Sequence, residues 1–192
     1  MTAASVAAAA LLAAALIVPA GPALAQDPAA AIDQARADLA AGKQVDAYLG
    51  LSNALPGLAA RTPLFLTAAA FIDGPVRGYG QYDPRPHDRF TRGETLRVYV
   101  EPAAFDHRRE GALYRASLVC DYAILAADGK QVTADRAVKE IELTSRQANA
   151  ELAVEISLPY LDLPPGAYTL EVAVRDRIAG DRAVARLAFR VM

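Results

Sequence analysis

The sequence predicts a mainly β protein: an antiparallel β-sandwich of seven or eight strands, preceded by a short α-helical hairpin. Three observations carry that expectation. Apolar residues recur at helical spacing as far as Pro56, and from Leu64 onwards they fall at every second position. The alternating runs are separated by short turns with no helical pattern between them, which argues against parallel βαβ units. Finally, Pro164-Pro165-Gly166-Ala167-Tyr168 places two prolines and a glycine directly before an alternating strand, as a chain crossing between two sheets requires.

Residues 1–25 read as a processing signal outside the fold. An apolar run from Val6 to Val18 ends at Pro19, and Ala23-Leu24-Ala25 supplies the small residues of a cleavage point. The run is shorter than the about 20 apolar residues of a membrane-spanning helix. No Lys or Arg precedes it, and no cysteine follows the cleavage point to carry a lipid. The expected product is periplasmic or secreted, begins near Gln26, and has no stable membrane insertion after cleavage. If retained, the same segment would be an N-terminal anchor.

A formal net charge of −2 offers no electrostatic basis for holding nucleic acid or an anionic membrane. The absence of Trp weakens any case for base stacking or a broad sugar platform. The expected partner is therefore an envelope protein or polymer, not nucleic acid. Cys120 is the only cysteine, so no intramolecular disulfide is expected. In Leu118-Val119-Cys120-Asp121-Tyr122 the thiol shares a face with Leu118 and Tyr122, and it reads as a small buried hydrophobe.

Residues 26–62 form the expected hairpin. Asp27 and Pro28 make a helix start, with a capping carboxylate followed by proline at the first helical position. Ile32, Ala35, Leu39 and Ala40 repeat at helical spacing, and Val45, Tyr48, Leu49, Ser52 and Leu55 resume it after Ala41-Gly42-Lys43. The unit resembles a single tetratricopeptide-like hairpin. One such unit cannot build a solenoid, so its apolar stripes are expected to dock on the domain that follows.

Residues 63–192 form the expected sandwich. Leu96, Val98 and Val100 point one way between charged neighbours, and the run from Tyr114 to Ile124 alternates likewise. Asp128-Gly129 signals a tight hairpin whose central positions both take positive φ. Leu152, Val154, Ile156 and Leu158 make another inward row, as do Tyr168, Leu170, Val172 and Val174. Ala183, Ala185, Leu187, Phe189 and Val191 make the last.

The proline–glycine–tyrosine segment resembles the tyrosine corner of immunoglobulin-like and fibronectin-type sandwiches. That resemblance implies a phenol hydroxyl bonded to backbone a few residues upstream. Gly78-Tyr79-Gly80-Gln81-Tyr82-Asp83-Pro84-Arg85-Pro86, Phe90-Thr91-Arg92-Gly93-Glu94 and Val98-Tyr99-Val100-Glu101-Pro102 extend it. So does the ending from Pro165-Gly166-Ala167-Tyr168 through Asp176 and Gly180. Together they resemble a family of exported bacterial proteins with a helical leader and an Ig/fibronectin-III-like sandwich. The resemblance covers roughly residues 64 to 192, within the usual domain size. It implies fold and compartment and no activity.

Enzyme chemistry finds little support. His87 and His107 lie in separate polar loops beside Asp88 and Asp106, with no HxxxH, HxH or cysteine pair at ligand spacing. Both read as solvated loop histidines, and no metal or cofactor is expected. No Gly-x-Ser-x-Gly elbow is present. Gly78-Tyr79-Gly80 lacks the lysine and helix start of a phosphate loop. A non-enzymatic binding module is expected. The alternatives are a periplasmic protease inhibitor, on the Phe90-x-x-Gly93-Glu94 strand start, and a hydrolase or metal enzyme with a loop-end site. The candidate partner-binding residues are Tyr82, Arg85, His87 and Arg89 in the segment from Tyr79 to Phe90. Tyrosine and arginine are common binding anchors, and prolines lower the ordering cost. The competing reading makes this segment an edge-strand cover whose prolines block sheet extension.

Overall fold

A computed structural model describes residues 27–159 and 162–192. The expected signal over 1–25 and the start near Gln26 lie outside the described residues.

Helix α1 (Pro28–Ala40) opens on its proline, with Asp27 extended at the N-cap. The Asp27 carboxylate makes no capping bond. Instead it pairs with Arg61 at 3.3 Å, tying the start of the hairpin to its end. Gly42, at φ 72°, turns the chain into α2 (Gln44–Ala59). This helix does not stop at Pro56 as the pattern suggests. It continues to Ala59, because a proline in the last turn removes one hydrogen bond without blocking those beyond it. The helices meet through small residues. Ala31 and Ala35 of α1 and Ala47, Ala54 and Gly57 of α2 are buried. The large residues expected to dock on the following domain, Ile32, Leu39, Val45, Tyr48, Leu49 and Leu55, are all exposed. Methyl-sized contacts bring the two backbones together and leave the larger side chains on the flanks.

Among the described residues nine strands follow: β1 (Phe65–Phe71), β2 (Arg89–Phe90), β3 (Leu96–Ala103), β4 (Arg108–Glu110), β5 (Leu113–Ala126), β6 (Gln131–Ser145), β7 (Val154–Leu158), β8 (Gly166–Asp176) and β9 (Arg182–Val191). Seven or eight were expected; β2 and β4 are too short to show alternation. The small sheet has the order β1-β3-β7. The large sheet runs β2-β9-β8-β5, with β4 and β6 both pairing with β5. Every pairing is antiparallel except β2 with β9, which is parallel through Arg89↔Arg190 and Phe90↔Val191. The long loop after β1 delivers the chain to the free side of β9 running in the same direction. The sheets are mainly antiparallel, and the larger one curls into a half-barrel.

The expected inward rows supply the core. Leu96, Val98 and Val100 face Val154, Ile156, Leu158, Leu118, Cys120, Ile124, Leu170, Val172 and Val174 in one cluster. Burial pushes the Cys120 thiol up to about 12. The Asp128-Gly129 turn forms with only Gly129 at positive φ, 79°. Asp128 Oδ1 accepts the Lys130 N–H at 3.0 Å, and the register shifts between Ile124 and Leu125, so the loop is longer than a two-residue turn. A second irregularity interrupts β6, where Arg136, Ala137 and Val138 oppose Asp121 alone. Ala137 takes φ 54° and donates its N–H to Asp121 at 2.9 Å, while Arg175 grips the same carboxylate at 2.7 and 3.1 Å.

The sheets are closed on one side, where β1 lies against β9. The Phe71 ring meets Phe90 at 5.0 Å and Phe189 at 5.8 Å, both edge-on, and Tyr168 stacks on Phe189 at 5.5 Å. On the other side β6 and β7 do not pair. Asp176, buried at the end of β8, accepts N–H groups of Asp106, Ile178 and Ala179 and fixes the β8–β9 turn to the chain after β3. At the other end of β8, Tyr168 donates its hydroxyl to the Pro164 carbonyl at 2.8 Å. A Cβ on Gly166 would stand 3.4 Å from the Tyr168 ring, so glycine leaves the ring its place.

The Tyr168 bond is solvent-accessible and its ring contact is independent of it. Tyr168→Phe is therefore expected to cost about 0.5–1.5 kcal/mol, and Tyr168→Ala, which also loses the stack on Phe189, about 3–5 kcal/mol. Urea midpoints of the two variants against wild type check both.

Candidate functional site

Tyr99 and Glu101 of β3 point away from the core row, onto the outer face of the small sheet. Both are nonetheless buried, Tyr99 at 0% and Glu101 at 9% exposure, because the chain between β1 and β3 folds back over them. The Gly80 N–H donates to Tyr99 Oη at 2.7 Å, and the Tyr82 ring stacks on Tyr99 with centroids 3.9 Å apart. Tyr99 Oη in turn donates to the Glu101 carboxylate, which also accepts from Thr67 Oγ1 at 3.0 Å. Burial, then the bond to Glu101, pushes the Tyr99 phenol up to about 12.

Arg85 anchors the second half of the same cover. Its side chain is 13% exposed and pairs with Asp73 at 3.1 Å and Glu94 at 2.7 Å. It donates to the Arg89 carbonyl at 2.8 Å and lies 4.1 Å over the Phe90 ring. Burial works to raise Glu94, but the Thr91 N–H and hydroxyl and the Arg85 charge hold it below the ordinary carboxylate range. The Phe90-x-x-Gly93-Glu94 pattern is thus a capped turn, with Gly93 at φ 78° and Glu94 closing back on Thr91.

Of the candidate residues, Tyr82 and Arg85 are engaged within the chain, while His87 and Arg89 are exposed. Tyrosine and arginine suit a cover as well as an interface, and here the surface they desolvate belongs to their own sheet. His107 is not a solvated loop histidine. It is half-buried between Phe105 and Tyr114, its Nε2 is buried without a partner, and burial holds it below its ordinary value against the pull of Asp106 and Asp176. The two histidines do not converge. Asp88, next to His87, binds Arg190, which pairs with Ala167 at the start of β8; Asp106, next to His107, binds Asp176 at its end. The length of β8, about 30 Å, lies between them. Among the described residues no group of three or more His, Cys, Asp or Glu is placed to hold a metal ion. No helix among them is long and apolar enough to cross a membrane.

A concavity lies on the open side, between β6 and β7. It is a shallow, open cleft of about 540 Å³. Ile141 and Leu143 of β6 with Leu152 and Val154 supply apolar walls, and Val76, Arg77 and Gly78 of the covering loop form one end. Its rim charges are largely satisfied within the chain. Arg77 holds Asp83 through two bonds, at 2.8 and 3.1 Å. Glu155 takes the Val76 N–H at 3.0 Å and pairs with Arg97 at 3.3 Å. Arg177 pairs with Glu140 at 2.5 Å and Glu142 at 3.8 Å. What remains unspent is apolar surface and the free backbone edge of β6. No local sequence pattern marks this cleft, because it arises from which two strands are left unpaired.

No protein-family model and no curated protein matches the chain. Among solved structures it is similar to the C-terminal domain of wzt, with a TM-score of 0.42, 13% identity, and coverage of 68% of this chain and 74% of that one. It is similar to CopC from Methylosinus trichosporium OB3b at a TM-score of 0.31 and 18% identity, over 67% of this chain and 92% of that chain. A Bacteroides uniformis β-glucuronidase matches at a TM-score of 0.37 and 16% identity over 66% of this chain, which spans only 12% of that enzyme. Likenesses this distant carry no argument about activity.

Two outcomes follow from the cover. Tyr82→Ala and Arg85→Ala are each expected to lower stability by about 1–3 kcal/mol, whereas His87→Ala and Arg89→Ala leave the thermal midpoint within error. The buried phenol and thiol also set an alkaline limit. Both hold their protons more tightly folded than unfolded, so their contribution is complete below the unfolded values and is lost as pH rises through about 9 to 12. Urea midpoints against pH should fall across that window. Cys120→Ala should remove the earliest part of the fall, and an unchanged onset would show that the thiol is not its source.

Proposed function

We propose that the protein is a non-enzymatic, exported binding module with an Ig or fibronectin-III-like sandwich. It takes an extended segment of a partner protein along the free edge of β6. The observation that carries this reading is the cleft itself: an unpaired strand edge beside an apolar wall whose rim charges, Lys139 apart, are matched within the chain. An extended peptide would add as a further strand, its backbone bonding to β6 from Lys139 to Leu143. Alternate side chains would enter the space between Ile141, Leu143, Leu152 and Val154. The chemistry favours a peptide over a charged or sugar polymer. No aromatic residue lines the cleft to stack on a sugar ring, and the paired rim leaves little net charge to attract a polyanion. The expected periplasmic or secreted location, resting on residues 1–25, fits a partner in the envelope.

Peptides selected from an unbiased displayed library on the purified protein test this. Bound peptides should slow hydrogen exchange at amides of residues 139–145. Ile141→Lys and Leu152→Lys should each weaken binding at least tenfold, and thermal melts should verify that both remain folded. Val132→Lys, on the far side of the β6 irregularity, should bind as wild type. Protection confined to residues 79–90, with binding indifferent to Ile141 and Leu152, would move the site to the loop.

A further inference from the structure

The helical hairpin carries an apolar side that the cleft reading does not use. On α2, Tyr48, Leu51, Leu55 and Leu58 recur at intervals of three, four and three, one stripe of a helix, and all are exposed, Tyr48 at 71%. On α1, Ile32 and Leu39 form a shorter stripe and are half-exposed. Each stripe lies roughly a quarter-turn round its helix from the small-residue contact face, in the same rotational sense. Because the helices of a tight hairpin run antiparallel, equal rotations bring both stripes to the same side. The opposite side agrees with this placement: its groove is lined by Asp27, Gln34 and Asp38 of the first helix and its cap, and by Asp46 and Gly50 of the second. The hairpin therefore carries its main apolar stripes on one side, with Val45 and Leu49 exposed apart from them.

We propose that this side is a dimer interface, in which the hairpins of two copies pack face to face as a four-helix bundle. The area is sufficient. Six large side chains, 40–71% exposed, present roughly 600 Å² per copy, at the upper end of what a lone monomer ordinarily shows and at the lower bound of one partner's share of a specific interface. None of the six is charged, and the one charge bordering the α1 stripe, Arg36, pairs with Asp33 at 4.0 Å, so the apolar centre of the face can meet its own copy across a two-fold axis. A lipid surface fits less well. The hairpin from Pro28 to Ala59 carries Arg36 and Lys43 against Asp33, Asp38 and Asp46, whereas helices that lie on membranes are rich in Lys and Arg on the polar face. The small-residue contact between α1 and α2 is already filled, so the stripes cannot turn inward.

Sedimentation velocity of the purified protein over a hundredfold range of concentration tests the interface. Wild type should sediment as a dimer at the top of the range and dissociate on dilution. Leu51→Asp with Leu55→Asp should give a monomer throughout, with an unchanged thermal melt for the β domain. Leu49→Asp, equally exposed but facing outward, should sediment as wild type and controls for an aspartate within α2. A monomeric wild type at every concentration overturns the proposal, as does a Leu51→Asp/Leu55→Asp variant that still dimerises. Flotation of monomeric wild type with phosphatidylcholine vesicles would reassign the face to lipid.

Discussion

Phe71, Phe90 and Phe189 hold the architecture together. They come from β1 and β2, the first two strands, and from β9, the last, and they join the small sheet to the large one along a single side. Closing the sheets there has two consequences. It brings Arg85 over Phe90, which fixes the covering loop, and it leaves β6 and β7 apart on the other side, which opens the cleft. The cover and the cleft are thus two results of one asymmetric closure.

The covering loop explains how the central strand of a three-stranded sheet can be buried on both faces. Val98 and Val100 sit in the core, and Tyr99 and Glu101 sit under the loop, so β3 is enclosed on both sides. A buried carboxylate is costly unless its lone pairs are met. Glu101 meets that condition through Tyr99 and Thr67, and Tyr99 through Gly80. Tyr82 then shields the network from water. The first residues of the same loop, Val76 to Gly78, form the end of the cleft. Loop position and cleft shape are therefore coupled through Glu155, which binds the Val76 N–H.

Much of the β architecture was legible because it is written in local periodicity. The alternating rows of β3, β5, β8 and β9 and the inward Cys120 follow from spacing, and the tyrosine bonded to Pro164 follows from the resemblance to a tyrosine corner. The hairpin was legible as two helices but not in its packing. A pattern read by size makes the large residues the core, whereas here Ala31, Ala35, Ala47 and Ala54 are buried and Leu51 and Leu55 are exposed. That Tyr82 and Arg85 are engaged within the chain was hard to read for a similar reason, since one residue type serves both a cover and an interface. A signal existed: Val98-Tyr99-Val100-Glu101-Pro102 carries large groups on both faces of the strand, which implies something lying over the outer one. The cleft had no such signal. It depends on the curl of a sheet and on a pairing that does not form.

The irregularity at Ala137 bears on edge-to-edge pairing between copies of the chain. An edge strand as long as β6, unbroken, would present about 50 Å of open ladder. That is a template on which copies could stack edge to edge into a growing fibre. With Arg136, Ala137 and Val138 set against one residue of β5, the ladder is cut into runs of five and seven residues, Gln131–Asp135 and Lys139–Ser145. A short guest strand can still register on one run, but a second copy of β6 meets a kink before it can align. The exposed edge thus offers only short runs for pairing and resists becoming the first layer of an aggregate.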